Sequence, residues 1–352
     1  YTGLAQAIGE KVVHIFGTGE NSLMLGLMLV GTILSSVLSN TGTCACLMPV
    51  ALGICAASKN TASRQLLPMA YACGWGGIIT LLGTPPNIIG SGALTAAGLP
   101  GFSFFEFAWI GIPLSVAGIL YMLLIGKYLL PKAELDADQE IEQEIEATTH
   151  DKKKQVISGV ILLACVTVMA LNLKFISLEM TAIIGALVCV LTGCLTEKQA
   201  YSSIDWVTIF LFAGMMPVST AMDKTGAGKL IANWAVGLMG GEPTPLIVTI
   251  VLFSISCFLT QFMSNTASAA LLCPIGIAIA KQLNADPKAV VMAIAVAASC
   301  AFATPVGTPP CTLVLGPGGY KFMDYVKCGT GLVLVCFVVS LIVIPMVWPF
   351  FP

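Results

Sequence analysis

Two uncharged apolar stretches, 21–57 and 244–280, constrain the fold of this chain more than any other feature. Each runs well past the roughly 20 residues of a single spanning helix. Each is interrupted once, near its middle, by the same tripeptide: Ser39-Asn40-Thr41 in the first and Ser264-Asn265-Thr266 in the second. A turn at a membrane surface normally carries Lys, Asp, Gly or Pro and lies near aromatic anchors. None of these closely precedes Ser39. The pattern predicts two re-entrant helical hairpins whose tips stop inside the membrane. Lipid offers no hydrogen bonds to an open backbone, so such tips are tolerated only where they line a polar site.

A second pair of interruptions follows. Gly83-Thr84-Pro85-Pro86-Asn87 falls within the apolar stretch 65–97, and Gly307-Thr308-Pro309-Pro310 within 289–316. Proline cannot continue a helix from within but starts one well, so Thr84 reads as a cap and Pro85 as the first residue of a second half-helix. Segments 2–16 and 225–239 also resemble one another and suit helices lying at the membrane interface. The three pairs recur at offsets of 225, 224 and 223 residues, the signature of an internal repeat.

The expected architecture is an all-α polytopic membrane protein with inverted-topology repeats, two re-entrant hairpins and two broken transmembrane helices. Repeat 1 covers 1–130, with its interfacial helix, hairpin 21–57, broken helix 65–97 and helix 105–130. The charged segment 131–154 is a cytoplasmic linker. Repeat 2 covers 155–352, with helices at 155–173, 176–195 and 205–222, interfacial helix 225–239, hairpin 244–280, broken helix 289–316 and last helix 326–351. The repeat expects counterparts of those three early helices ahead of residue 2, giving each half an odd number of crossings. Lys and Arg concentrate in the loops that this topology assigns to the cytoplasm.

Composition narrows the function classes. Hydrophobic residues make up 57% of the chain and charged ones 10%, against roughly 25% charged in soluble domains, which excludes a water-soluble globule. A net charge of −2 offers no electrostatic footprint for nucleic acid. The 13 cysteines are scattered through apolar segments and read as small core residues. The only histidines, His14 and His150, lie apart from them. No cofactor is expected. An intramembrane hydrolase would need a base beside Ser39 or Ser264, and neither segment supplies one.

Ser and Asn at each tip can cap the following half-helix, whose first N–H groups and dipole favour an anion. One turn earlier lies another hydroxyl on the same helix face, Ser35 before Ser39 and Thr260 before Ser264. Ser35, Ser39, Asn40 and the Gly83 carbonyl outline one oxygen cage. Thr260, Ser264, Asn265 and the Gly307 carbonyl outline its mate. Neutral oxygens of this kind suit a hard monovalent cation such as Na⁺. The breaks carry no Asp, Glu, Lys, Arg or His nearby, so a proton relay through titratable side chains has no members.

These paired tips, breaks and interfacial helices together resemble the divalent anion:sodium symporter family, which carries dicarboxylates, citrate or sulfate. The resemblance implies Na⁺-coupled symport of a small divalent anion, most readily a C4-dicarboxylate, by elevator-type movement of the hairpin-bearing domain. It also implies a homodimer in the lipid of an inner or plasma membrane. By motif match, Ser39, Asn40, Thr41, Thr84, Ser264, Asn265, Thr266, Thr308 and Pro309 line the substrate site. A Na⁺-independent di- or tricarboxylate exchanger of the same fold and a sulfate transporter are the alternatives. The family's second break often reads Thr-Pro-Pro-Asn, whereas this chain has Cys311 in the last place, which leaves the polar support of that half-site open.

Overall fold

In the computed structural model the described residues are 2, 17, 19–58, 60–131, 152–171, 176–204, scattered positions from 206 to 237, and 244–350. The expected interfacial segments 2–16 and 225–239, helix 205–222 and linker 131–154 lie wholly or largely outside them. Every regular element among the described residues is helical.

The first hairpin consists of α1 (Glu20–Ser35) and α2 (Asn40–Ser58), joined at 36–39. A broken helix follows: α3 (Ala62–Gly76) tightens into a 3-10 turn at Gly77–Ile79, the chain opens, and α4 (Pro85–Ala96) resumes with proline at its start. Next comes α5 (Ala108–Leu129), with a π-helical stretch at Met122–Gly126. Then follow α6 (Lys152–Ala170), α7 (Leu178–Leu191) and the short α8 (Glu197–Ser202). The second hairpin is α9 (Pro245–Thr260) and α10 (Asn265–Gln282). The second broken helix is α11 (Pro287–Ser299), an open stretch at 300–308, and α12 (Pro309–Leu313), which is much shorter than α4. The last helix is α13 (Phe322–Val347). Even the internal prolines of the second hairpin arms correspond, Pro49 in α2 and Pro274 in α10.

Packing repeats as the sequence does. Helix α1 lies along α3 as α9 lies along α11. Each second hairpin arm is shared between the halves: α2 packs on its own α3 and on α12, and α10 on its own α11 and on α4. Each tip thus lies against its own repeat's break, while each second arm reaches the other repeat's half-helix. Buried aromatics secure the seam: Phe302, in the second break, meets Tyr71 and Trp75 of α3 edge-on at 5.4 and 6.3 Å between ring centres. Such pairs contribute about 0.5–1.5 kcal/mol beyond their buried area.

The outer surface is apolar. Trp109, Val116 and Leu124 of α5 and Leu334, Val338 and Ile342 of α13 are exposed, as suits helices facing lipid. Helices α5, α6 and α13 are long and apolar enough to span a bilayer. The 16-residue arms α1 and α9 are not: at 1.5 Å per residue each rises about 24 Å, short of a hydrocarbon core of roughly 30 Å. Helices α6 and α7 pack chiefly on each other.

Two ion pairs occur among the described residues. Glu20 at the start of α1 pairs with Arg64 at the start of α3. Glu106, in the loop before α5, pairs with Lys288 of α11 at 2.6 Å and accepts from Trp348 Nε1 at 3.1 Å and Ser103 N at 2.9 Å, tying the repeats together. Burial opposes ionisation of Glu106, but Lys288, the Ser103 N–H and the Trp348 indole hold its carboxyl below the ordinary carboxylate range. A carboxyl depressed in the folded state stabilises above its unfolded pKa and loses that contribution as pH falls through the folded one. Glu106→Gln is therefore expected to cost about 1–2 kcal/mol at neutral pH. In thermal melts across pH, wild type should lose stability below about pH 4 and converge on the variant. Parallel curves across that range would refute the latch.

Candidate functional site

Each hairpin turns just before an asparagine that begins its second arm, and the two turns are capped alike. Ser39 Oγ accepts from Gly42 N at 3.1 Å and Ser264 Oγ from Ala267 N at 3.2 Å, so both serines spend their hydroxyls on the first turn of the following helix. Ser39, Thr41 and Ser264 are exposed, and Thr266 is half-buried. Asn40 is buried and Asn265 half-buried, each amide turned into the protein.

Behind each tip a cluster of oxygens forms around that amide. In the first repeat Ser35 Oγ lies 2.7 Å from both Asn40 Oδ1 and Cys73 O. In the second, Thr260 Oγ1 lies 2.8 Å from Asn265 Oδ1 and 2.6 Å from Ala298 O. Turned over, the Asn40 amide would donate from nitrogen to Gly83 O at 3.0 Å, Cys73 O at 3.1 Å and Ser35 Oγ at 2.7 Å. The Asn265 amide would do the same to Gly307 O at 2.9 Å, Ala298 O at 3.1 Å and Thr260 Oγ1 at 2.8 Å. Two complementary states follow from the amide's chemistry. With nitrogen inward, the cluster satisfies itself. With oxygen inward, the hydroxyl, the amide oxygen and two carbonyls converge on one point. No carboxylate, ammonium, guanidinium or imidazole belongs to either cluster.

Of the residues singled out from the sequence, Ser35, Asn40 and Gly83 come together, as do Thr260, Asn265 and Gly307. Ser39 and Ser264 adjoin the clusters but use their hydroxyls as caps. Thr84 and Thr308 occupy the N-cap positions of α4 and α12, with extended backbones and without a side-chain cap bond. The buried Thr84 hydroxyl has no partner at all. Pro309 is exposed at the start of α12. The orphan hydroxyls of Thr43 and Ser268, one turn into α2 and α10, are also fully buried.

Several members had no side-chain signal. Cys73 O and Ala298 O are main-chain groups, visible beforehand only through the repeat offset. Thr80 Oγ1 donates to Ser36 O, and Thr304 Oγ1 to Gln261 O at 2.7 Å, each fastening a break to its tip. Both threonines recur at the same offset and could have been found that way. Tyr71 and Tyr325 donate to Phe302 O at 2.9 Å and Cys311 O at 2.7 Å, so the second break takes tyrosine support that the residue at position 311 does not supply.

Comparison with known proteins agrees with this architecture. The family model described as Citrate transporter matches residues 1–270 and 168–351. An uncharacterized transporter of Haemophilus influenzae is 36% identical over 98% of this chain and 77% of its own length. The sodium-dependent dicarboxylate transporter SdcS of Staphylococcus saprophyticus is 25% identical over 97% of this chain and 72% of its own. A crystal structure of the Alcanivorax borkumensis YdaH transporter superposes with a TM-score of 0.66 at 14% identity, covering 98% of this chain and 84% of that one. That likeness is one of fold. Motifs, helical architecture and the family match converge: the chain belongs to the citrate transporter family, of the divalent anion:sodium symporter type, and is a membrane transporter rather than an enzyme.

Proposed function

We propose that this transporter couples inward movement of a small divalent anion, most readily a C4-dicarboxylate, to Na⁺. The observation that carries the proposal is the pair of matched oxygen clusters behind the tips, each able to present hydroxyl, amide and two carbonyl oxygens to one cation. The first Na⁺ would sit among Ser35, Asn40, Cys73 and Gly83, with Ser39 closing the tip. The second would sit among Thr260, Asn265, Ala298 and Gly307, beside Ser264.

The substrate face follows from the same geometry. Asn40 and Asn265 turn inward while Ser39, Thr41 and Ser264 open outward beside the half-buried Thr266, so carboxylates would meet the hydroxyls and first N–H groups of α2 and α10 with a cation behind them. Helix N-termini and bound cations would supply the positive potential that the side chains lack. The free Thr84 hydroxyl, with Thr308 and Pro309, would complete the pocket. The relative named a sodium-dependent dicarboxylate transporter supports the same substrate class.

The short arms α1 and α9 support re-entrant tips, entering from opposite faces in an inverted repeat. The hairpins and broken helices would then move as one body, elevator-fashion, past α6 and α7 and a second copy of the chain. The decisive experiment is uptake into proteoliposomes. Labelled succinate should accumulate under an inward Na⁺ gradient and not under a K⁺ gradient. Failure of succinate, citrate and sulfate alike would overturn symport, and uptake that needs internal counter-substrate and ignores Na⁺ would make the protein an exchanger.

A further inference from the structure

The two breaks are held by different residues. In the first repeat Asn87, the third residue of α4, donates from Nδ2 to Thr80 O at 2.8 Å and Gly77 O at 3.4 Å, so the half-helix clamps its own break. The corresponding residue of α12 is Cys311, whose thiol cannot offer two amide donors. The threonine ties show which residues of the tips correspond: Thr80 donates to Ser36 O and Thr304 to Gln261 O. Yet Ser36 and Gln261 behave differently. Ser36 Oγ turns back to Ile33 O at 2.7 Å. The buried Gln261 reaches across: Nε2 donates to Cys300 O and Cys257 O, both at 3.0 Å, and Oε1 accepts from Ala303 N at 3.0 Å.

We propose that Gln261 is the positioning residue of the second half-site, supplying from the hairpin the clamp that Asn87 supplies from the half-helix in the first. Residues 300–308 have almost no helical hydrogen bonds of their own, so their carbonyls point wherever side chains hold them. Gln261 holds both ends of that segment. Its side chain fixes Cys300 and Ala303, while its carbonyl takes the Thr304 hydroxyl, which accepts in turn from Gly307 N at 3.2 Å. Gly307 O, the carbonyl facing Asn265, is thus two bonds from Gln261. At the matching position of the first tip, Ser36 receives the Thr80 hydroxyl on its carbonyl but sends no side chain into the break.

The consequence for Na⁺ rests on the symport reading, so the test has one arm independent of transport. By amide hydrogen exchange, Gln261→Leu is expected to speed exchange at 300–308 about tenfold, the equivalent of one buried hydrogen bond lost, with 77–84 unchanged. Adding Cys311→Asn to Gln261→Leu transplants the first repeat's clamp at nearly equal side-chain volume and should slow exchange again. In the transport arm, half-saturating Na⁺ should rise about tenfold in Gln261→Leu and recover in the double variant. Unchanged exchange at 300–308, or a double variant no better than Gln261→Leu, overturns the clamp. Wild-type uptake indifferent to Na⁺ counts against symport alone, because the exchange arm still decides the clamp.

Discussion

Replacing Asn265 with alanine is expected to raise half-saturating Na⁺ and substrate KM together, by about 10–150-fold, the range for losing a hydrogen-bonding group that serves a charge. The shared effect arises because this residue begins α10 at the tip, where an anion would meet the helix N-terminus, while its amide turns back toward Thr260, Ala298 and Gly307. Asn265→Asp separates the two roles. A carboxylate in the cluster would bind a cation more tightly and repel a dianion on the other side. Na⁺ affinity should rise while succinate uptake falls below measurement. Isothermal titration with Na⁺ and with succinate reads each arm; an alanine variant with unaltered values for both would remove Asn265 from the site.

The second large effect is expected from a methyl group. A Cβ on Gly83 would lie 2.4 Å from Gly77 O, 2.8 Å from Gly77 Cα and 2.9 Å from Gly77 C. All three are main-chain atoms, so no side chain can swing aside. The break itself must shift, and with it the Gly83 carbonyl that faces Asn40. Overpacking of this kind costs typically about 1–3 kcal/mol. Here the larger consequence is functional: Gly83→Ala should cut uptake by more than about tenfold while the protein still folds. Gly53→Ala, where the added carbon meets nothing within 4 Å, is the control and should transport normally. Equal activity in the two variants would show that the first break tolerates movement.

Much of this organisation was legible beforehand because it is written in local chemistry and then written twice. Single prolines such as Pro49 and Pro274 are absorbed within helices, but the doubled Pro85-Pro86 and Pro309-Pro310 after Gly-Thr mark helix starts, and Ser-Asn-Thr in the middle of an uncharged stretch has few uses other than a tip. Helical spacing places Ser35 one turn before Ser39 and Thr260 one turn before Ser264, while the bonds to Asn40 and Asn265 depend on how each turn folds back. Cys73 O and Ala298 O were not legible, since every residue has a carbonyl and only packing decides which ones face inward. Gln261 was hidden for a related reason: nothing local distinguishes a glutamine that caps a tip from one that clamps a segment some forty residues away. The shortness of α12, the Glu106 latch and the Tyr71 bond to Phe302 likewise depend on neighbours distant in sequence.

By itself, then, the sequence determined an all-helical membrane fold, its two-fold repetition and the four interruptions, because helix breaking, amphipathic spacing and the cost of charge in lipid act over a few residues at a time. The tertiary structure decided which main-chain oxygens complete each cluster, which face of each tip opens outward, and how each break is held. Those outcomes depend on α2 and α10 each lodging between one repeat's broken helix and the other's half-helix. Such contacts join residues far apart in the chain, whose meeting is fixed by packing as a whole.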